Sequence, residues 1–179
     1  KEECAMSTGT SVIVEDLFFN TPVRYKFLKQ DATESKYIKN WVQKAALANT
    51  NISFGLYIDG KQVFKSTGNG KIEDIIYILY GKQIQENIIK VDYKYNNMKV
   101  TGVIGNTLVS RDNRNGQIIF LNKRNIKNSI LANSIDQAFK GGVGIGKYGF
   151  CILNLEIPAN LYDVNVHPTK MDVRFKSEE

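Results

Sequence analysis

Hydrophobic and polar residues alternate along several short stretches of the chain, and a period of two is typical of half-buried β-strands. The strands predicted in this way are residues 10–16, 52–58, 88–95 and 98–105, with a turn at Asn96-Asn97 between the last two. Residues 117–121 and 150–157 are predicted as two further strands, of which the second is expected to be buried. The dipeptide Asp59-Gly60 is a strong signal for a two-residue hairpin turn. The register that this turn sets would pair Leu56 with Val63.

Three other segments carry apolar residues at the three- and four-residue spacing of an amphipathic helix. The predicted helices cover about residues 32–48, 71–80 and 129–139. Asp31 and Glu34 resemble a capping box at the start of the first helix. The expected buried face of that helix consists of Ile38, Trp41, Val42, Ala45 and Ala46. A shorter helix is expected to begin at Pro22, with Asn20 or Thr21 capping its free N–H groups.

The succession of strands and helices favours an α+β or α/β sandwich, in which helices pack on one mixed sheet. Both predicted hairpins are antiparallel, so the sheet cannot be purely parallel. A chain of 179 residues suggests one domain with room for an appendage, and can bury about 70% of its unfolded surface. We therefore expect a core that needs neither disulfides nor metals.

The chain is mildly basic, with 24 Lys and Arg residues against 18 Asp and Glu residues, a net charge of +6 and a pI near 9.2. This balance is compatible with a nucleic-acid partner, and a solvated basic face is the alternative explanation. The candidate DNA-binding residues fall on a loop and an adjoining turn, and they are Arg111, Arg114, Lys123, Arg124 and Lys127. Together they could form one patch that contacts phosphates without reading sequence.

Cysteine and histidine are scarce in this chain. Cys4 and Cys151 are far apart in the sequence, His167 is the one histidine, and no Cys-x-x-Cys occurs. This usage argues against a zinc site and is typical of a reducing compartment. The sequence also has no apolar run long enough to span a bilayer, so we expect a cytoplasmic protein without a membrane partner.

A glycine-rich stretch imitates a phosphate-binding loop. Residues 141–147 fit Gly-x-x-x-x-Gly-Lys, but the next residue is Tyr148 where a phosphate loop has Ser or Thr to bind magnesium. The stretch also follows a predicted helix and enters a predicted strand, which is the reverse of a phosphate loop. We therefore interpret it as a connecting loop.

The segment from Asp163 to Phe175 reads Asp-Val-Asn-Val-His-Pro-Thr-Lys-Met-Asp-Val-Arg-Phe. Apolar and polar residues alternate on both sides of Pro168, which predicts two strands joined by a stiff turn that presents Lys170. The segment closely resembles the Val-Asn-Val-His-Pro-x-Lys-x-x-Val-Arg-Phe element of the MutL family of DNA mismatch repair ATPases. In that family the equivalent lysine touches the terminal phosphate of ATP, so the resemblance implies a catalytic and ATP-binding role for Lys170.

Two further segments resemble the same family. Residues 9–28 carry the Gly-Thr-x-Val-x-Val and Asn-x-Pro elements that in MutL lead from the last strand of the ATPase domain into the next domain. This resemblance implies that Thr10 lies near the adenine. Residues 111–139 are similar to a family strand that ends in Asn-Gly-Arg and is followed by a helix. Lys123 replaces that glycine, so its turn must accept a side chain, and a positive φ is expected there.

The resemblance implies a specific fold and a role. The fold would be the ribosomal-protein-like transducer domain of the GHKL ATPases, with residues 1–28 as the end of the ATPase domain and connecting helix, and residues 29–179 as the transducer domain. The whole protein would bind ATP and magnesium, form a homodimer, bind DNA and relay mismatch recognition from a recognition protein to downstream repair. This chain would need its own N-terminal ATPase domain, and we expect it to bind no nucleotide and catalyse nothing alone.

Two other functions stay open at the level of sequence. One is the transducer of a different GHKL ATPase, such as a topoisomerase. The other is a free-standing ribosomal-type domain that binds nucleic acid. The segment from Val164 to Phe175 argues against both.

Overall fold

The computed structural model describes residues 8–163 and 173–176. Its Cα positions divide the chain into two compact units, Lys1–Ile38 and Lys39–Glu179. The helices of the described residues are α1 (Pro22–Tyr25), α2 (Asp31–Ala48), α3 (Ile72–Tyr80), α4 (Lys82–Gln85) and α5 (Ser129–Ala138). The strands are β1 (Gly55–Ile58), β2 (Lys61–Lys65), β3 (Ile88–Tyr95), β4 (Met98–Gly105), β5 (Gln117–Leu121), β6 (Arg124–Ile126), β7 (Cys151–Glu156), β8 (Tyr162–Asp163) and β9 (Arg174–Phe175).

The main sheet of the larger unit has five strands in the order β3-β4-β7-β5-β6. The pair β5–β7 is parallel, whereas β3–β4, β4–β7 and β5–β6 are antiparallel. The sheet is therefore mixed, which confirms the predicted fold class. The β1–β2 and β8–β9 pairs form two further small antiparallel sheets.

Alternate residues of β5 point to opposite faces of the main sheet, and both faces are covered. Ile118 and Phe120 pack into a core with residues of α2 and α3, such as Ala46 and Ile75. Ile119 packs on the other face, in a second core. The partly buried side chains around that second core are Leu131, Ile135, Leu155, Ile157, Tyr162 and Phe175. A strand buried on both sides reads as a continuous apolar run, as the sequence of β5 does.

Several predicted elements are confirmed to within a residue or two. The β3–β4 hairpin turns at Asn96-Asn97, and β5, β7 and α5 lie where their sequence patterns indicated. Asn128 caps α5, because its side-chain oxygen accepts a hydrogen bond from the Leu131 N–H at 3.0 Å. Gly81, at φ 85°, ends α3.

The predicted strand at residues 10–16 is wrong. Residues 10–15 have no regular secondary structure, and 79% of Val12, 81% of Ile13 and 71% of Val14 are exposed. A strand needs a neighbour whose backbone completes its hydrogen bonds, and none of the described strands pairs with this stretch. The alternating residues of this stretch therefore do not form a hydrogen-bonded strand in this structure.

The predicted register of the first hairpin is also wrong in part. Leu56 lies opposite Phe64 instead of Val63, because the register shifts between Leu56 and Tyr57. A bulge inserts one residue into one strand, and every pair beyond it moves by one position. The Asp59-Gly60 turn itself is present, with both residues at positive φ.

The helix starts near the beginning of the chain differ from their predictions. Thr21 precedes α1 but its side chain makes no capping hydrogen bond. Asp31 is the first residue of α2 and not its cap, and Glu34 reaches back to accept from the Lys29 N–H at 2.8 Å. The expected buried face of α2 is only partly buried, because Ala46 is fully covered whereas 70% of Trp41 is exposed.

Candidate functional site

The segment that carries Lys170 lies between two short paired strands. In the β8–β9 pair, Tyr162 lies opposite Phe175 and Asp163 lies opposite Arg174. Asp163 and Arg174, on the two paired strands, therefore lie side by side at the two ends of the segment that carries Lys170. Lys170 and His167, both singled out from the sequence, lie outside the described residues.

The β8–β9 pair is tied to the main domain by side-chain hydrogen bonds. Val173 is buried, and its carbonyl accepts from the Asn128 Nδ2 at 3.1 Å. The Tyr162 hydroxyl oxygen accepts from the Asn122 Nδ2 at 2.7 Å. These contacts connect the base of the lysine segment to the start of α5 and to the β5–β6 turn, so the base is held by packed elements.

Thr10 lies in the smaller unit, in the irregular stretch before α1. It is exposed, and so are the apolar residues that follow it. Further along the same unit, 81% of Phe19 and 75% of Phe27 are exposed. Single exposed apolar residues are ordinary, but a run of them is typical of a surface that another body covers.

The five candidate DNA-binding residues do not form one patch. Arg111 and Arg114 precede β5, whereas Lys123 and Arg124 form and follow the turn after it. A strand of five residues spans roughly 17 Å, so these two groups lie at opposite ends of β5. Lys127 comes directly after β6, which runs back along β5.

Arg114 is committed to an ion pair inside the domain. Its Nε and Nη2 both donate to the Asp136 carboxylate, at 3.0 and 2.5 Å. Gln117 Nε2 donates to the other oxygen of that carboxylate at 2.8 Å, and the guanidinium stacks 5.4 Å above the centre of the Tyr148 ring. The charge of Arg114 is therefore neutralised within the domain, which weakens its case as a phosphate contact.

Arg111 serves a similar structural purpose. Its backbone forms an isolated antiparallel bridge with Tyr148, with both hydrogen bonds at 2.8 Å. Its guanidinium lies 6.0 Å from the centre of the buried Phe150 ring. Arg111 thus joins the loop before β5 to the loop before β7.

Lys123 lies in the turn between β5 and β6. Its backbone has the conformation that was expected because the resembling family has glycine at this position. Asn122 has φ 48° and Lys123 has φ 68°, which confirms the expected positive φ. The Lys123 N–H donates to the Asn154 Oδ1 at 2.8 Å, which anchors the turn to β7. The side chains of Lys123 and Arg124 are exposed.

Sequence reasoning missed Lys44, a partly buried lysine on α2. Its Nζ donates to the Asn125 Oδ1 on β6 at 3.0 Å. Burial, and then the nearby positive charge of Lys127, lower the pKa of Lys44. The sequence signal that could have identified Lys44 is its position directly before the apolar run Ala45-Ala46-Leu47.

The lysine of the glycine-rich stretch that resembles a phosphate loop has an acidic partner. Lys147 forms an ion pair with Asp112, and the hydrogen bond from Lys147 followed by its charge lowers the pKa of Asp112. The stretch connects α5 to β7, as its flanking patterns predicted. Its lysine therefore faces a carboxylate.

The part of the chain that the structure describes holds neither a metal-binding cluster nor a membrane-spanning helix. No three His, Cys, Asp or Glu side chains lie close enough there to share a metal ion. None of the helices there has the length and apolar character that crossing a membrane demands.

A mixed sheet with helices on both faces defines the class of this protein as an α+β sandwich, and comparison with known proteins gives the family. The model of the family "DNA mismatch repair protein, C-terminal domain" matches residues 76–179, more than half of the sequence. The chain therefore belongs to this family of DNA mismatch repair proteins. The match does not favour a topoisomerase or a free-standing ribosomal-type domain.

Relatives and solved structures support the same assignment. The DNA mismatch repair protein MutL of Halothermothrix orenii is 44% identical over 179 residues, all of this chain and 28% of that protein. The MutL of Clostridium perfringens is 42% identical over 176 residues, 98% of this chain and 26% of that protein. The chain thus spans little more than a quarter of these relatives.

Two solved structures have the same fold. The N-terminal domain of a DNA repair protein aligns with a TM-score of 0.68 at 25% identity, covering 88% of this chain and 53% of that one. The Aquifex aeolicus MutL ATPase domain in complex with ADP aligns with a TM-score of 0.57 at 23% identity, covering 81% and 51%. The fold of this chain is therefore that of part of a MutL ATPase region.

Proposed function

We propose that this chain is the transducer part of the N-terminal ATPase region of a MutL-like protein, with residues 1–28 ending the ATPase domain and residues 29–179 forming the transducer domain. The observation that carries the proposal is the family match over residues 76–179, which includes the lysine segment between β8 and β9. The whole protein would bind ATP with magnesium in the preceding domain, dimerise, and pass mismatch recognition from a recognition protein to downstream repair.

Lys170 would complete the ATP site. An ammonium group supplies a fixed positive charge to the terminal phosphate, and preorganised charge has its largest effect in a site that excludes water. The packed base of the segment supports this role, because Val173 and the β8–β9 pair anchor its two ends. A well-held base lowers the cost of positioning the side chain.

Thr10 would lie near the adenine, in the stretch that joins the two domains. The exposed apolar run from Val12 to Val14 supports this assignment, because a neighbouring domain would supply both its cover and its missing strand partner. The ADP complex of the Aquifex MutL ATPase domain, which shares the fold, supports nucleotide binding by the complete protein.

DNA would contact the β5–β6 turn and the edge strand β6, through Lys123, Arg124 and Lys127. The exposure of these three side chains supports this assignment, as does their absence from the ion pairs among the described residues. Arg111 and Arg114 would contribute less, because each is engaged inside the domain. Contacts of this kind are independent of sequence and weaken with salt.

The experiment that tests the central role is ATP turnover by the full-length protein carrying Lys170→Ala. We expect turnover to fall by about 10²-fold, the scale of losing one preorganised electrostatic contact. Stability should change by no more than about 0.5 kcal/mol, as for a surface residue. Lys176→Ala is the matched control, since Lys176 is an exposed lysine just beyond β9.

Normal turnover in the Lys170→Ala protein would end the catalytic assignment. A large loss of thermal stability would instead identify Lys170 as a structural residue. The control separates these outcomes from a general effect of removing positive charge near β9.

A further inference from the structure

The lysines and arginines of this domain divide into those with an acidic partner and those without one. Five ion pairs join described residues, and their cations are Lys82, Lys90, Lys99, Arg114 and Lys147. Around β6 the situation differs, because none of these ion pairs includes Lys44, Lys123, Arg124 or Lys127. Four cations that take part in none of these ion pairs therefore lie around β6.

Lys44 differs from the other cations at this edge because it is partly buried and held in place. Its Nζ donates to the Asn125 Oδ1 at 3.0 Å, and the Asn125 Nδ2 donates to the Ile119 carbonyl at 3.0 Å. The asparagine amide is thus fixed at both ends. The hydrogen bond to Asn125 uses one of the three N–H groups of the Lys44 ammonium, and it thereby sets the direction of the other two.

Lys127 points to the same face of the sheet as Asn125, because side chains alternate between the two faces along a strand. Asn125 lies opposite Phe120, whose side chain packs in the core with α2, so Asn125 points to the α2 face. Lys127, two residues on, points to that face as well. Its charge acts on Lys44 strongly enough to lower the pKa of that lysine, second to burial.

Two ammonium groups held near each other repel, and the repulsion is stronger where one of them is partly buried. An anion placed between them removes this cost and gains two charge-assisted hydrogen bonds. A phosphodiester fits such a pair because it carries a single negative charge and free oxygens on an accessible backbone. Lysine contacts phosphate as a point charge, which needs no planar fork.

We propose that Lys44 and Lys127 together bind one phosphate of the DNA backbone, so that helix α2 forms part of the DNA-contact surface. This inference rests on the DNA binding proposed above and adds a residue, on a different element, that the basic loop and turn did not include. Because both lysines meet one phosphate, their contributions to affinity are not independent.

The test is duplex DNA binding by the full-length protein, measured by fluorescence anisotropy over a range of salt concentrations. The variants are Lys44→Gln, Lys127→Gln, the double variant, and Lys39→Gln as an exposed lysine on the same helix. We expect each single change to weaken binding about threefold to tenfold at moderate salt and Lys39→Gln to have no effect. The slope of log K against log salt should fall by about 0.9 for one lost phosphate contact.

The double variant identifies a shared phosphate. If one phosphate is held by both lysines, the double variant lowers the salt slope by about 0.9, no more than either single change, whereas two separate contacts would lower it by about 1.8. Lys44→Arg keeps the charge and should retain most of the affinity. Inorganic phosphate at millimolar concentration should compete with DNA in the wild type more than in the double variant.

Two results would overturn the inference and leave the proposed function standing. One is unchanged affinity and slope in Lys44→Gln beside a clear loss in Lys123→Gln or Arg124→Gln, which would make Lys44 a structural link between α2 and β6. The other is additive loss in the double variant. Absence of any DNA binding by the wild-type protein would overturn both this inference and the DNA role. If Lys44→Gln does not fold, the salt slope of Lys127→Gln and the affinity of Lys44→Arg for DNA still test the inference.

Discussion

At the scale of single residues, the turn between β5 and β6 holds a lysine in a conformation that suits glycine. Lys123 has φ 68°, in the left-handed region where a side chain crowds the following carbonyl. Such a residue persists where its neighbours hold it. Here the Asn122 N–H donates to the Leu155 carbonyl, and the Asn122 side-chain oxygen accepts from the Ile157 N–H. The Lys123 N–H donates to the Asn154 Oδ1. The cost of this conformation should be measurable.

We expect Lys123→Gly to raise the free energy of unfolding by roughly 0.5–1 kcal/mol, because glycine removes the crowding and forms this turn readily. Urea unfolding at constant pH measures the change. Lys127→Gly is the matched control, since its φ is not positive, and it should give no gain. An equal or lower stability of Lys123→Gly would mean that the lysine side chain itself stabilises the turn.

A second prediction at this scale concerns Cys151, a fully buried thiol on β7. Burial, and then the negative charge of Asp136, raise its pKa from 9.0 to about 12. Since the folded protein favours the protonated thiol, this contribution is complete below pH 9 and is lost as the pH rises towards 12. The loss amounts to about 1.4 kcal/mol per pH unit over that window.

The measurement is urea unfolding at several pH values from 8 to 11. Below pH 9 Cys151→Ala should be less stable than the wild type because a cavity remains, and above pH 9 its stability should fall less steeply. Other groups titrate in both proteins and cancel in the difference. Equal slopes for the two proteins would contradict the pKa assigned to the thiol.

At the scale of elements, the contact between β4 and β7 depends on one glycine. Gly102 has φ 134°, and a Cβ built there would lie 2.1 Å from the Ile152 carbonyl oxygen. That atom is backbone in the centre of the sheet, so the strand must move for any side chain to fit. The close approach of β4 to β7 is thus set by the lack of a side chain.

We expect Gly102→Ala to cost at least about 2 kcal/mol, from the strained φ and the overlap together. The measurement is again urea unfolding, with Gly144→Ala as the control. Gly144 has no positive φ and its nearest neighbour would lie 3.6 Å from a new Cβ, so its replacement should be nearly neutral. A loss for Gly102→Ala below about 0.5 kcal/mol would show that β4 can shift without cost.

The elements that sequence predicted correctly are those whose partners lie nearby in the chain or whose burial is complete. The β3–β4 hairpin is set by its own turn, and β5 is apolar throughout because it is covered on both faces. The stretch at residues 10–16 carries an equally clear pattern, but its partner is absent from the described strands. A local pattern specifies a strand only when something pairs with it.

The site was predictable to a different degree. Sequence reasoning gave the turn at Lys123, from the family resemblance, and a strand at the end of the lysine segment, of which Arg174–Phe175 lies within the described residues. It could not show that Arg114 is neutralised by Asp136, because that carboxylate lies on α5 and meets Arg114 only in the folded chain. Lys44 was missed for the same reason, since its partner Asn125 is 81 residues away.

At the scale of the whole molecule, the larger unit has its own core on both faces of the sheet, whereas the smaller unit leaves its apolar residues exposed. Two cations of the loops before β5 and β7, Arg114 and Lys147, have acidic partners, whereas the four cations around β6 take part in none of the ion pairs among the described residues. The exposed apolar residues and the cations around β6 are both consistent with a protein that contacts another domain and a polyanion.

The last prediction concerns catalysis by the 179-residue chain alone. We expect ATP turnover at background in a steady-state assay, because the one stretch that resembles a phosphate loop has no hydroxyl to bind magnesium and its Lys147 is paired with Asp112. Lys147→Ala is the control for that stretch. Addition of the preceding ATPase domain in the same polypeptide should restore turnover, since the proposal assigns nucleotide binding to that domain. Turnover that survives extensive purification of the isolated chain and disappears in Lys147→Ala would contradict this division of labour and make the glycine-rich loop a nucleotide site.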